Sequence, residues 1–294
     1  MSGNTILGGP SAADTTGEPE PDADPRDPAA VPGDTETAIH RSQLYALLSL
    51  GLERPGDDFA AAVADGAFEN PLVESATAID GTVADAARAV SEVVTDRDAL
   101  HGDWASLFGV EEGLTVSPYE LTYIPGPLMT NVRGIADIRG FYEAFGLGIS
   151  EGQNDRADHV CFQTEFLGHL AEREAVLREH GDAEGVEVVV DAQRSFLEDH
   201  LGRWYWRLTD EVSKRDDGGF YAALAELLAA LVEHEVERFE LDPDWVPDDP
   251  AVTEWNEDVF GDTGRGCGGC GADTEGMDDA FPEGVPAKPP DQSE

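Results

Sequence analysis

The sequence predicts an all-α protein: a single compact helical domain with a disordered acidic tail at each end. Three observations predict it. Between about residues 37 and 241, apolar side chains recur at intervals of three and four, the period of an amphipathic helix. The one run with strand-like composition, residues 186–190, has helical flanks. Residues 1–36 and 242–294 are rich in Pro, Gly, Asp, Glu and Thr and too poor in bulky apolar side chains to offset the entropy of ordering. The expected organisation is therefore a tail over 1–36, a helical domain over 37–241 and a second tail over 242–294. In that second tail Trp245, Trp255 and Phe260 are the residues able to pin its first part to the domain.

Each element follows from its pattern. Ile39, Leu44, Leu47, Leu48 and Leu52 have helical spacing, and Pro55 stops that helix shortly after Glu53. Further helices are predicted over about 57–65, 83–94 and 96–108. Residues 109–133 hold three prolines, three glycines and two tyrosines, too many breakers for a helix and too little alternation for a strand. An irregular stretch of that length inside a helical domain marks a functional or mobile segment. Helices resume over 135–146 and 155–180, the latter with Gly181 as its C-cap. The span 185–213 reads as one helix or as two divided at Gly202. In the last, 218–240, Phe220, Leu224, Leu227, Leu228, Leu231 and Val232 share one broad face.

Charge excludes several functions. The 294 residues include 62 Asp or Glu and 18 Lys or Arg, a formal net charge of −44, and the only lysines are Lys214 and Lys288. Binding a nucleic-acid backbone needs concentrated Lys and Arg, and an anionic membrane surface repels such a chain. Carboxylate-rich, lysine-poor surfaces suit molar salt, where charges are screened within roughly 3 Å. A haloarchaeal-type cytosol is the expectation. Three cysteines, Cys161, Cys267 and Cys270, are too few for a disulfide framework, which points to a reducing compartment. The N-terminus has no signal-peptide pattern, and the longest apolar stretch, within 220–232, is too short to span a bilayer. A cytoplasmic location without membrane insertion is expected.

Enzyme signatures are mostly absent. No lysine directly follows a glycine as a P-loop requires, no histidine has Glu three residues before it, and HExxH does not occur. Residues 148–152 match G-x-S-x-G around Ser150, but a helical segment precedes them where a nucleophile elbow needs a strand. Cys267 and Cys270 form a CxxC in a Gly-rich tail, open to a redox pair, half of a zinc site or an inert tail. On the predicted long helix Asp158 and His159 lie near the start, and Glu165 and His169 share a face. His159, Glu165 and His169 would serve a metal-binding helical protein or enzyme, the alternative reading. A CxxC-dependent metal or redox adaptor is a further one.

Three segments carry a family resemblance. Leu107-Phe108 and the later Ser117-Pro118-Tyr119-Glu120-Leu121-Thr122-Tyr123, then Phe141-Tyr142 with Phe145-Gly146-Leu147, then Asp158-His159 through Glu165-Phe166-Leu167, stand in the order and spacing of the TorD/DmsD/NarJ chaperones for molybdenum enzymes. Phe196, His200, Leu201 and Trp204 resemble a later element of that family. Gln163 departs from it, standing where the family usually has a glutamate. The resemblance implies an all-helical TorD-like chaperone that performs no reaction and has no cofactor of its own. Its partner would be the catalytic subunit of a molybdopterin oxidoreductase, held through its twin-arginine leader until cofactor insertion and export. Such proteins act as monomers or helix-exchanged homodimers. Tyr119, Glu120 and Tyr123 are then expected to face Asp158, His159, Glu165 and Phe166 across the peptide site, aromatic groups covering the apolar part of the leader and acids receiving its arginines.

Overall fold

Four helices begin on an aspartate, one use of the acidic composition. The computed structural model describes residues 33–93, 95–109, 115–124, 128–150, 153 and 155–246. Asp34 accepts the Thr37 amide at 2.9 Å and opens α1 (Thr35–Leu52). After α2 (Asp57–Ala64) and α3 (Glu69–Ile79), Asp80 caps α4 (Gly81–Glu92) and Asp96 caps α5 (Arg97–Phe108). The short α6 (Glu120–Tyr123), α7 (Leu128–Ala144) and α8 (Val160–His180) follow. Asp182 caps α9 (Ala183–Phe196), which continues through a π-helical turn (Leu197–Leu201) into α10 (Gly202–Ser213). The last helix is α11 (Phe220–Arg238). Each cap satisfies an amide that the first turn leaves without a partner.

The all-α expectation holds: among the described residues there is no strand, only an isolated bridge between Tyr119 and His159. Residues 186–190 lie inside α9, with Val186, Val189 and Val190 buried and Val188 exposed, a helical and not an alternating pattern. Two local expectations are corrected. The helix α3 was not foreseen; its Pro71 sits in the first turn, where no amide donor is required. The breaker-rich stretch 109–133 contains α6 and the start of α7, because its prolines lie outside both helices. Of the two readings of 185–213 the single helix applies: α9 runs into α10 through the π turn, which absorbs one extra residue before Gly202. Gly181, in the left-handed conformation at φ 71°, ends α8 as expected.

At the centre α1 lies along α8, and α9 packs on α8; α11 packs on α4 and α10, while α3 joins α1 to α4. Leu44, Tyr45 and Leu48 of α1 and Phe166, Leu167 and Leu170 of α8 are buried there. Gly168 allows the close approach: a Cβ at that position would lie 3.2 Å from Tyr45 Cβ and 3.3 Å from the Ser42 carbonyl oxygen. Gly168→Val is therefore expected to cost about 2 kcal/mol by overpacking. Gly140→Ala, in a helix position with open space around it, should instead gain about 0.5–1 kcal/mol from helix propensity. Paired urea melts check both signs.

A buried ion cluster ties four helices. Arg41 of α1 donates through Nε to Glu235 Oε1 at 2.6 Å, through Nη2 to Glu235 Oε2 at 2.5 Å and through Nη1 to Glu174 Oε2 at 2.9 Å. Its Nη2 also donates to Gln193 Oε1, whose amide donates to Glu174. Arg178 and Arg238 complete the cluster from its edge.

Beyond α11 the chain still packs on the domain: Val246 is buried and its amide donates to the Arg203 carbonyl, and Trp245 meets Tyr205 edge to face. The expected tails fall largely on residues 1–32 and 247–294, with Trp255, Phe260, Cys267 and Cys270, and these lie outside the described residues. Among the described residues no helix is long and apolar enough to cross a membrane.

Candidate functional site

The segment before α6 and the segment before α8 are drawn together by backbone. The Glu120 amide donates to the Asp158 carbonyl at 3.1 Å and the Val160 amide to the Pro118 carbonyl at 2.9 Å. Asp158, fully buried, adds its side chain: Oδ2 accepts the Leu121 amide at 3.0 Å. Arg156 forks onto the same carboxylate, Nε to Oδ1 at 2.9 Å and Nη2 to Oδ2 at 2.6 Å. Asp158 is thus the fastener of the junction.

Glu120 points the other way, into the domain. Its Oε2 accepts from Gln163 Nε2 at 2.5 Å and its Oε1 faces His200 Nδ1 at 3.1 Å. Gln163 Oε1 in turn accepts from Trp204 Nε1 at 3.1 Å, and Trp204 stacks on buried Tyr123 at 5.5 Å. Gln163 donates to one neighbour and accepts from another, which an ionised glutamate there could not do. On its outer side His200 Nε2 is buried with no hydrogen-bond partner among the described residues, 3.5 Å from Asp137 Oδ2.

Tyr119 and His159 meet edge to face at 5.1 Å, and Tyr119 donates its hydroxyl to Asp155 Oδ1 at 2.6 Å. Burial, with the Asp155 hydrogen bond, pushes the Tyr119 phenol up, so it stays a donor. Burial holds the His159 imidazole below its ordinary value against the pull of Asp155 and Asp158. A neutral ring suits its place, because Nδ1 accepts the Cys161 amide and caps α8.

Two grooves open on this surface. The larger, about 670 Å³, is walled by Leu52, Trp104, Phe108, Pro118, Tyr119 and His159, with Glu53 and Asp155 at its edge. The smaller, about 250 Å³, is lined by Leu147, Ile149, Phe162, Phe166, Glu165 and His169. Gln153 borders both, and His159 and Phe162 are in ring contact across them.

The seven residues expected to form the site are thus divided. Tyr119 and His159 line the large groove, and Glu165 and Phe166 the small one. Glu120, Tyr123 and Asp158 are buried with their polar atoms already bonded, and Glu120 borders a third groove, about 660 Å³, beside His200 and Asp137. The set His159, Glu165 and His169 is split between the grooves, and among the described residues no three His, Cys, Asp or Glu side chains converge on a metal position. Ser150, at the rim of the small groove, follows α7 through a loop, with no strand before it. Sequence reading missed the far wall of the large groove. Trp104 and Phe108, four apart on α5, were its available signal.

A family model described as "Nitrate reductase delta subunit" matches residues 73–210. Over those residues the chain resembles the TorD/DmsD/NarJ family of molybdoenzyme maturation chaperones. It is similar to the "Chaperone protein TorD" of Aliivibrio salmonicida (strain LFI1238), 27% identical over 150 residues, which are 50% of this chain and 68% of that one. It is also similar to the "Perchlorate reductase assembly chaperone protein" of Dechloromonas aromatica (strain RCB), 26% identical over 219 residues, 70% of this chain and 93% of that one.

Proposed function

We propose that this protein is a chaperone working in the cytoplasm, where it binds the twin-arginine leader, and with it the apo form, of a molybdopterin oxidoreductase of the dimethyl sulfoxide, trimethylamine oxide or nitrate reductase type. It holds that client until its cofactor is inserted and export can begin. The observation that carries the reading is the alignment of the two grooves along α8. His159, Phe162, Phe166 and His169 recur at intervals of three and four, a stripe of about 15 Å that continues into the wall formed by Trp104 and Phe108. An apolar leader segment would cover the aromatic floor, and Glu53, Asp155 and Glu165 at the edges are carboxylates for guanidinium groups. In molar salt only such short-range pairs discriminate between peptides.

Calorimetric titration in multimolar KCl, with the leader of a molybdoenzyme encoded nearby and with its Arg-Arg to Lys-Lys variant, tests this. The native leader should bind at micromolar affinity or better and the lysine variant more weakly, since lysine lacks the planar fork. Trp104→Ala should weaken native-leader binding about tenfold, the loss of one aromatic anchor. Binding that is blind to both changes would remove the groove from the reading.

A further inference from the structure

The place taken by Arg156 has the form of an arginine-binding site. The Arg156 guanidinium carbon lies 4.6 Å from the centre of the Tyr119 ring. Its fork meets both oxygens of Asp158, at 2.9 and 2.6 Å. A flat aromatic face beside a carboxylate presented edge-on selects a planar guanidinium over an ammonium. Around it Tyr119 is steadied by its bond to Asp155, and the Asp158 carboxylate by the Leu121 amide. These supports do not involve Arg156.

Among the described residues Arg156 is held by this fork and by the ring face. Its side chain is 52% exposed, whereas that of Asp158 is 0% exposed, and it sits in the non-helical segment just before α8. Asp158 Oδ1 has no other hydrogen bond among the described residues. If Arg156 swings outward, what remains is a fixed carboxylate and a ring face, next to Tyr119, Asp155 and His159 of the large groove. The partner that fits is another arginine.

We propose that Tyr119 and Asp158 form a binding site for an arginine of the client peptide, and that Arg156 fills this site until the peptide displaces it. The inference rests on the leader-binding reading and adds to it a built-in competitor. An internal ligand present nine-tenths of the time lowers the apparent affinity for the external one about tenfold. The occupied site would thus reject lone arginines and admit a peptide that the rest of the groove also holds.

The test uses the full chain in multimolar KCl, comparing wild type, Arg156→Ala and Arg156→Lys. Titration with the twin-arginine leader should show Arg156→Ala binding about tenfold tighter than wild type, still preferring the Arg-Arg over the Lys-Lys peptide. Arg156→Lys keeps the charge but not the fork, so it should also bind more tightly than wild type, which a pure charge effect would not produce. Separately, methylguanidinium should raise the melting temperature of Arg156→Ala more than that of wild type, and methylammonium at equal concentration should not. Equal or weaker leader binding by Arg156→Ala, with wild type binding well, overturns the competitor while leaving the leader reading in place. Should no variant bind leader, that reading fails, and the methylguanidinium shift decides the arginine site: a selective shift upholds it and none overturns it.

Discussion

Replacing Arg41 by methionine is expected to lower stability by about 3–5 kcal/mol at neutral pH, the usual cost of leaving buried charges without their partner. Arg41 is the fully buried cation of the cluster and meets Glu174, Glu235 and Gln193 together. Without it, Glu174 keeps the Gln193 amide with Arg178 and Arg238 at the edge, and Glu235 keeps Arg238. The dependence on pH follows from Glu174. Burial pushes its carboxyl up, but Arg41, then Arg238 and the Gln193 and Arg178 hydrogen bonds outweigh burial and hold it below its ordinary value. A depressed folded value stabilises above the unfolded value, about 4.3, and this is lost as the pH falls through the folded one. In Arg41→Met the depression shrinks and protonation relieves the unpaired acids. The gap between variant and wild type should therefore narrow from pH 7.5 to pH 5. Urea unfolding at the two pH values in constant KCl measures it; a gap below about 1 kcal/mol at pH 7.5 would mean that the edge arginines suffice.

The second large effect is expected of Gln163→Glu. The new carboxylate keeps Trp204 as a donor on one oxygen, but its other oxygen meets Glu120 at the 2.5 Å now bridged by an amide hydrogen. Two such groups cannot both ionise in the interior, so the folded variant holds one proton more than its unfolded chain, on the carboxyl pair or on neighbouring His200. Its folded affinity for that proton is raised. The variant should thus approach wild-type stability below about pH 4.3 and lose about 1.4 kcal/mol per pH unit above that, until the proton leaves or the interior opens. A total loss of about 3 kcal/mol by pH 8 is expected. Thermal melts of variant and wild type across pH 4 to 8 report it. Parallel curves would sink the account of Gln163 as the neutral link between Glu120 and Trp204.

These two residues mark the boundary between what could be read from the chain and what could not. The 3–4 spacing of leucines and the Gly181 cap are local signals, each acting within one or two turns, and they sufficed for an all-helical domain. Where local rules misled, a second local fact decided: Pro71 stands in a first turn, and the prolines near 125 fall outside α6 and α7. Of the seven residues that the family motifs suggested, Tyr119, His159, Glu165 and Phe166 line the two grooves.

Sequence alone therefore determined the all-helical class and most of the helices, because periodicity is a property of short segments. It left open which of its polar residues face the client and which hold the domain together. Glu120 looks like a ligand for arginine when read along the chain, yet it is bonded to Gln163 and His200, while Asp158 fastens α6 to the start of α8 and takes an arginine of its own chain. Arg41, Glu174 and Glu235 each interrupt an apolar face, up to 194 positions apart, and only their convergence turns three interruptions into one ion cluster. The far wall, Trp104 and Phe108, comes from a helix about fifty residues before α8. Burial and pairing are decided by packing between distant segments, so they first become visible in the tertiary structure.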